Sequence, residues 1–270
     1  MFGRQWIVRA LAACTTVVAA ATAALPACAA DADLNAIIQR GELRVGMINQ
    51  PNYAMFDPNT KTWSGANFDI AKRLADVAGV KLTIVESNWQ GIIPALQAGQ
   101  TDIAMAPFYA TPKRALSVWF SEPYNYDRSG ILIRKEDAEK FKTMADLNKA
   151  GITFAAHVGS ASEADAKRFF PEASVKPLST DTIILELQSR RVEAWISDMT
   201  TISLAAKRNS EWATVFSLDT VFNAVPVVFV MPQGAVNLQQ YVNASLQYYK
   251  TQGVLDEILA KWDFPPMPSK

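Results

Sequence analysis

From Leu43 onward, short apolar strands alternate with helices, and this alternation constrains the fold more than any other feature of the chain. Leu43–Met47 alternates apolar with polar or small residues and predicts a strand. Asn67–Ala78 carries apolar residues at helical spacing and stops at Gly79, which predicts a helix. Val80–Val85 then predicts a strand, Trp89–Ala98 a helix and Asp102–Ala106 a buried strand. Repeated β-α-β units predict an α/β fold with mainly parallel sheets flanked by helices.

The same alternation resumes after residue 130, so we expect two α/β lobes. The polar stretch Tyr124–Gly130 and the segment Val221–Pro226 mark the boundaries, and Asn52–Gly65 is predicted to be a loop. The last two helices have no sheet of their own and are expected to pack on the first lobe. The predicted division is residues 31–127 plus 225–270 for lobe 1, with residues 128–224 inserted as lobe 2.

The N-terminal 30 residues have the pattern of a secretory signal peptide. Arg4 and Arg9 precede an apolar run, Leu11–Leu25, and small residues suitable for cleavage follow near Ala29 and Ala30. No later segment approaches the ~18 uninterrupted apolar residues of a membrane span. We therefore expect an exported, periplasmic protein.

Both cysteines, Cys14 and Cys28, lie in this leader, so the mature chain is expected to have no disulfide and no thiolate metal site. Leu25–Cys28 resembles a lipoprotein cleavage box in which Pro26 fits badly, which leaves lipid attachment at Cys28 as an alternative. Lys+Arg and Asp+Glu number 26 each, and this balance does not favour a nucleic-acid partner.

Arg114 is the first candidate for ligand binding. Thr111 and Pro112 predict a helix start, where the partial positive charge of the N-terminus disfavours cations such as Lys113 and Arg114. An anion bound there would remove the conflict, and guanidinium geometry matches a carboxylate. The alternative is a solvated Arg on the helix surface, which is our expectation for Lys113.

Two further helix starts follow apolar strands. Asp198 stands where open α/β sheets place ligands and could accept an ammonium, although helix capping alone would also explain it. Ser160 and Ala161 open another helix, whose N–H groups could bind the same anion as Arg114. Ser160 and Glu163 also form a capping box, and the two interpretations are compatible.

Aromatic residues at turns and element ends are candidates for the walls of a pocket, with core packing as the alternative. These residues are Tyr53, Trp89, Phe108 and Tyr109. His157 is the single histidine and follows a predicted strand, so it could contact a ligand. No nucleophile elbow, phosphate-binding glycine loop or metal-ligand spacing is present, and we expect no cofactor, no metal and no catalytic residue.

The order and spacing of several segments resemble the family 3 solute-binding proteins, the polar amino-acid-binding components of bacterial ABC importers. The matching segments are Gly41–Gly46, Asn67–Ala71, Ile93–Gly99, Asp102–Ile103, Thr111–Arg114, Phe120–Tyr124 and Lys261–Trp262. The resemblance covers Asp33–Phe264. It implies a two-lobed periplasmic-binding-protein fold of type II, with a two-strand hinge that closes on a ligand.

The resemblance also implies roles for residues. Tyr53 and Trp89 resemble the aromatic walls of an amino-acid pocket, and Arg114 the carboxylate-binding arginine. Ala161 resembles a backbone contact to the same carboxylate, and Asp198 the acid that binds the ammonium. The chain departs from the family where small polar residues are usual, because Ala106, Pro107 and Tyr109 stand there. Ammonium acceptors are therefore missing, which favours an N-substituted amino acid, a betaine-like zwitterion or an organic acid over a standard amino acid.

The implied function is capture of a small carboxylate-bearing solute and its delivery to a membrane permease by a monomeric binding protein. One alternative is an enzyme on the same fold, of the cyclohexadienyl dehydratase type. As far as the sequences can be aligned, the catalytic acid of those enzymes falls near Thr201, which offers only a hydroxyl. An extracytoplasmic sensor domain is a third possibility, but such domains are normally joined to a transmembrane helix.

Overall fold

The computed structural model describes residues 33–216 and 225–264, and their strands form two large sheets and one hairpin. The predicted signal peptide, including Cys14 and Cys28, lies outside these residues. The strands are β1 (Glu42–Ile48), β2 (Met55–Asp57), β3 (Thr62–Ser64), β4 (Lys81–Ser87), β5 (Ile103–Tyr109), β6 (Val118–Phe120), β7 (Asn125–Asp127), β8 (Ser129–Arg134), β9 (Thr153–His157), β10 (Ser174–Leu178), β11 (Ala194–Asp198), β12 (Ala213–Val215) and β13 (Val225–Pro232). The helices are α1 (Leu34–Arg40), α2 (Ala66–Ala78), α3 (Ile92–Gln97), α4 (Pro112–Ala115), α5 (Met144–Leu147), α6 (Ala161–Phe169), α7 (Thr180–Gln188), α8 (Met199–Arg208), α9 (Val236–Thr251) and α10 (Val254–Lys261).

The first sheet has the strand order β4-β1-β5-β13-β6, and β7 also pairs with β13. Successive side chains of a strand point to opposite faces of the sheet. Both faces of this sheet are buried. On one face, Met105 of β5 belongs to the same core as Leu74 of α2 and Leu246 of α9. On the other face, Phe108 of β5 belongs to the core of Leu96 of α3.

The second sheet has the order β10-β9-β11-β8-β12 and is also covered on both faces. One core contains Phe154 of β9 and Ala166 of α6, and the other contains Trp195 of β11 with Ile183 of α7 and Ile202 of α8. The two-lobed α/β architecture expected from the alternating pattern is therefore confirmed.

The sheets are mixed, which corrects the expectation of mainly parallel pairing. β1 runs parallel to β4 and β5, and β9 runs parallel to β10 and β11. β13 is antiparallel to β5, β6 and β7, and β8 is antiparallel to β11 and β12. Parallel neighbours require a crossover, usually a helix, whereas antiparallel strands do not. β8 follows β7 after Arg128 alone, and in that step the chain passes from the first sheet to the second.

Three local predictions were wrong. The predicted loop 52–65 contains the hairpin β2–β3, whose turn is held by Asp57 Oδ1 accepting from the Asn59 N–H at 2.8 Å. Trp89 lies before helix α3, in a turn where Asn88 Oδ1 accepts from the Gly91 N–H at 2.9 Å. β5 continues to Tyr109 instead of ending at Ala106, because every residue of this strand is buried in the sheet.

Gly65 allows the segment that carries Tyr53 to lie against the start of α2. Its φ is +122°, and a Cβ at this position would lie 2.5 Å from the Tyr53 carbonyl oxygen. The neighbouring Asn67 N–H donates to that same carbonyl at 2.8 Å. Only glycine permits such a close approach of two backbone segments. No helix among residues 33–216 and 225–264 has the length and apolarity needed to cross a membrane.

Candidate functional site

A small cavity of about 270 Å³ lies between the two sheets, with residues of both lining it. The two lobes are in contact beside it, where Gln50 Nε2 of the first donates to Asp198 Oδ2 of the second at 3.1 Å. The lining residues are Trp89, Pro107, Tyr109, Arg114, His157, Ser160, Ala161, Ser162, Ser197 and Asp198. They come from the ends of strands and the starts of the helices that follow them, the usual location of ligands in open α/β sheets.

Arg114 contributes a partly buried cation to this cavity. Its Nη1 donates to the Tyr109 carbonyl oxygen at 3.1 Å, and its guanidinium lies 5.3 Å from the centre of the Phe108 ring. None of the ion pairs among the described residues includes Arg114. Burial lowers the pKa of this guanidinium, although an arginine stays ionised in proteins. Lys113 is exposed, as the sequence suggested.

The basis of the prediction for Arg114 needs correction, since helix α4 has only four residues. Thr111 caps it, with Oγ1 accepting from the Arg114 N–H at 3.3 Å, so the predicted start is present. A single turn adds little to a helix dipole. The case for an anion therefore rests on the guanidinium and its lack of a carboxylate partner rather than on the helix.

Three polar atoms of the lining residues are buried without a hydrogen-bond partner among residues 33–216 and 225–264: Trp89 Nε1, Tyr109 Oη and His157 Nε2. Buried polar groups are normally paired, so three unpaired atoms on one small cavity indicate a site for a polar ligand. His157 lies at the end of β9 and is 3% exposed. Burial lowers the pKa of its imidazole despite the opposing effect of Asp198, which favours the neutral form.

Asp198 is the carboxylate of the cavity and is 5% exposed. It is also the N-cap of α8, where Oδ1 accepts from the Thr201 N–H at 2.8 Å. Oδ2 accepts from Ser197 Oγ at 3.1 Å and from Gln50 Nε2 at 3.1 Å. Asp198 therefore caps the helix, as the alternative interpretation of the sequence predicted, and it also lines the cavity.

Helix α6 contributes its first turn to the cavity through Ser160, Ala161 and Ser162. Ser160 caps the helix, with Oγ accepting from the Glu163 N–H at 3.3 Å. Glu163 Oε2 accepts from the Gly159 N–H at 3.0 Å instead of the expected Ser160 N–H. The first N–H groups of a helix have no acceptor within it, so those of Ala161 and Ser162, which precede the capped Glu163, are available to an anion in the cavity.

Two expected site residues do not line the cavity. Ala106 lies on the face of β5 that packs with Phe108 and Ile92, because period-two alternation directs it away from Tyr109. Tyr53 is completely buried behind Asp198, with its ring 4.8 Å from that of Phe264. Its role as an aromatic wall stays a prediction, whereas Trp89 and Tyr109 both line the cavity.

Sequence reasoning missed a set of polar residues behind Asp198. The Tyr53 hydroxyl donates to Asp127 Oδ2 at 2.9 Å and lies 3.4 Å from Asp198 Oδ1. Burial and the nearby Asp198 raise the pKa of Asp127 to about 7. Gln50 Nε2 donates to Thr201 Oγ1 at 3.0 Å in addition to Asp198. These contacts join side chains that are distant in sequence, so no local motif predicts them.

An outer cavity of about 740 Å³ adjoins the first and shares Trp89 and His157 with it. Its lining comes from both lobes, including Asn88 of the first and Ser179 of the second. Glu86 is its one formally charged residue. Among the described residues, no group of histidine, cysteine and acidic side chains could hold a metal ion.

The match to a protein family agrees with this geometry. The model of the bacterial extracellular solute-binding proteins, family 3, matches residues 43–266. The chain belongs to this family. A solute-binding protein of this kind is expected to place its ligand between two lobes, where the cavity lies.

Two curated proteins and one solved structure illustrate the range of relatives of this solute-binding protein. A probable histidine-binding protein of Campylobacter jejuni subsp. jejuni is 23% identical over 82% of the chain and 84% of its own length. A cyclohexadienyl dehydratase of Pseudomonas aeruginosa is 25% identical over 87% of each protein. The crystal structure of an ancestral amino acid-binding protein, described as a precursor of cyclohexadienyl dehydratase, is 35% identical. It covers 85% of this chain and 98% of its own, with a TM-score of 0.79.

Proposed function

We propose that this protein captures a small carboxylate-bearing solute, an amino acid or an amino-acid-like zwitterion, between its lobes. The observation that carries the proposal is Arg114, a partly buried guanidinium on the cavity with no carboxylate partner among the described residues. A buried charge is costly unless it is paired, and a carboxylate binds guanidinium through two parallel hydrogen bonds. The ligand carboxylate completes the pairing, aided by the first N–H groups of α6.

The rest of the ligand has room toward the outer cavity. Trp89 and His157 stand where the two cavities meet, so a substituent leaving the inner site passes between them. The relatives support this class of ligand, since one is named for histidine binding and another for amino-acid binding. Delivery to an ABC permease in the periplasm by a monomeric protein completes the proposal. Lipid attachment at Cys28 remains the alternative to a free periplasmic form.

A thermal-shift screen of the mature protein tests the proposal, with amino acids, opines, betaines and organic acids as the panel. A ligand present at 100 times its dissociation constant stabilises the folded state by about 2.7 kcal/mol, which a melting curve detects. We expect at least one carboxylate to raise the melting temperature. A response confined to compounds without a carboxylate would contradict the proposal.

The protein is proposed to bind without catalysis, although one relative is a dehydratase. Such a reaction needs a positioned proton donor. Thr201, near the aligned position of the catalytic acid, is a neutral hydroxyl that accepts a hydrogen bond from Gln50. Asp198, the carboxyl group on the cavity, already accepts three hydrogen bonds. Incubation with prephenate or arogenate discriminates the two functions, because product formation would establish the enzyme.

A further inference from the structure

Gln50 reaches from the first lobe into the second and binds the carboxylate of the site. It lies just after β1 and is 2% exposed, and its backbone pairs with that of Ala54 at 2.7 and 3.0 Å. From this fixed position its Nε2 donates to Asp198 Oδ2 at 3.1 Å and to Thr201 Oγ1 at 3.0 Å. One nitrogen of the protein therefore holds two acceptors beside the cavity.

The orientation of this amide follows from the charge of its partner. With its oxygen toward Asp198, the amide would place two acceptors against each other, so the nitrogen must face the carboxylate. The remaining amide oxygen, Gln50 Oε1, is buried and has no hydrogen-bond partner in the part of the chain that the structure describes. Leaving the buried Gln50 Oε1 unpaired is unfavourable. The amide nevertheless keeps its nitrogen on Asp198.

Asp198 consequently has little capacity left for the N–H groups of a ligand. An ionised carboxylate offers about four acceptor positions. Three donors occupy it: the Thr201 N–H, Ser197 Oγ and Gln50 Nε2. The Tyr53 hydroxyl lies 3.4 Å from its Oδ1 but directs its single proton to the closer Asp127 oxygen, at 2.9 Å.

Beyond Asp198, the side-chain acceptors of the described lining residues are neutral, namely hydroxyl groups and the imidazole of His157. A primary ammonium has three N–H donors, and an unmet donor in a closed site is costly. Pro107 lines the cavity where the family usually offers a small polar residue, and Ala106 is turned to the opposite face of β5. Trp89 and Tyr109 supply aromatic rings, which attract alkylated cations without hydrogen bonds. The charge of Asp198 still favours a cation over a neutral group.

We propose that Gln50 is a specificity-determining residue, which occupies the position of a ligand ammonium at Asp198 and selects carboxylates whose nitrogen carries alkyl substituents. This inference rests on the proposed function and narrows its ligand class to N-substituted amino acids and betaine-like zwitterions. A ligand nitrogen with two or fewer N–H groups needs fewer acceptors, so fewer of its donors are left unpaired in the site. A primary amino acid finds about one acceptor position open at Asp198 and must displace the Gln50 amide to form a second hydrogen bond there.

Calorimetric titration of matched compounds tests the inference. The probes are primary α-amino acids, their Nα-methyl and Nα-trimethyl derivatives, and the corresponding organic acids without nitrogen. Among probes that share the best-binding amino-acid side chain, we expect the wild-type protein to bind an N-alkylated form with about tenfold or more higher affinity than the primary amine. Preference for the primary amine, or for the acid without nitrogen, overturns the inference while leaving carboxylate capture intact. Absence of binding by every carboxylate overturns the proposed function as well.

Substitution of Gln50 assigns the preference to this side chain. Gln50→Ala removes the amide while the backbone pairing with Ala54 remains, so we expect the ratio of affinities to shift toward the primary amine by about tenfold. Gln50→Met, which keeps the size of the side chain without its N–H groups, must shift the ratio in the same direction. Gln233→Ala, an exposed position outside the cleft, is the matched control and must leave the ratio unchanged. An unaltered ratio in both Gln50 variants overturns the assignment.

Discussion

The Tyr53 hydroxyl donates to Asp127 Oδ2 at 2.9 Å, and this hydrogen bond ties the first lobe to the point where the chain crosses into the second. Asp127 ends β7, and its Oδ1 accepts from the N–H groups of Arg128 at 2.7 Å and Met199 at 3.2 Å. One carboxylate therefore contacts Tyr53 of the first lobe, the crossing segment and the start of α8. Because Tyr53 also lies against Asp198, the crossing segment and the site share one buried polar cluster.

Removing the Tyr53 hydroxyl should destabilise the protein. In Tyr53→Phe, Asp127 Oδ2 loses its donor in a buried environment, at a cost of about 1–3 kcal/mol in unfolding free energy. Denaturant titration at neutral pH measures the loss. Tyr126→Phe is the control, because Tyr126 is 43% exposed and is expected to change stability by less than about 0.5 kcal/mol. Equal stability of both variants would show that the hydrogen bond contributes nothing.

Asp127 should make stability fall as the pH rises toward neutrality. Burial and Asp198 raise its pKa in the folded protein from 3.8 to about 7, so the folded state binds the proton more tightly than the unfolded state. The stabilisation is complete below pH 3.8 and is lost as the pH rises through about 7. One such proton contributes a slope of at most about 1.4 kcal/mol per pH unit.

Comparison with Asp127→Asn isolates this effect, since asparagine imitates the protonated acid. The difference in unfolding free energy between the variant and the wild type should increase in favour of the variant between pH 4 and 7. The exposed Glu211, replaced by glutamine, serves as a matched control. A difference that stays constant for Asp127→Asn would refute the raised pKa.

The pKa of His157 should lie below its ordinary value of 6.5, because burial disfavours the imidazolium more than Asp198 favours it. Its contribution to stability is therefore present above pH 6.5 and is lost as the pH falls through the lowered pKa. His157 is the only histidine of the chain, so its ring protons can be assigned in an NMR titration of untagged protein. A measured value at or above 6.5 would mean that Asp198 outweighs burial.

Sequence periodicity predicted most of the secondary structure because core-facing residues repeat at the spacing of each element. Helix α2 and its stop at Gly79 follow from this pattern, with Gly79 in the left-handed conformation at φ 68°. The hairpin β2–β3 has no strong alternation of apolar and polar residues and is only partly buried. The sequence therefore predicted its turn residues but not its strands. The extension of β5 to Tyr109 depends on pairing with β13, about 120 residues away in sequence, which no local signal reports.

The site was predictable where a side chain follows a strand. Asp198 ends β11, Ser160 follows β9 and Arg114 follows β5, and all three line the cavity. Ala106 does not line this cavity, because successive strand residues point to opposite faces and Ala106 shares the face of Phe108. Gln50 and Asp127 lie in no recognisable motif, since their importance comes from Asp198, which approaches them only when both lobes are in place.

The most direct test of the account is calorimetric binding of the best carboxylate ligand to Arg114→Ala, with Lys113→Ala as the neighbouring control. Arg114 has no ion pair to lose, so the melting temperature of the variant should change little, while affinity falls by at least about 100-fold as the carboxylate loses its charged partner. Lys113 is exposed, and its replacement should leave the affinity within about a factor of two. Unchanged affinity in Arg114→Ala, or collapse of its stability with affinity retained, would contradict the account and make Arg114 a structural residue.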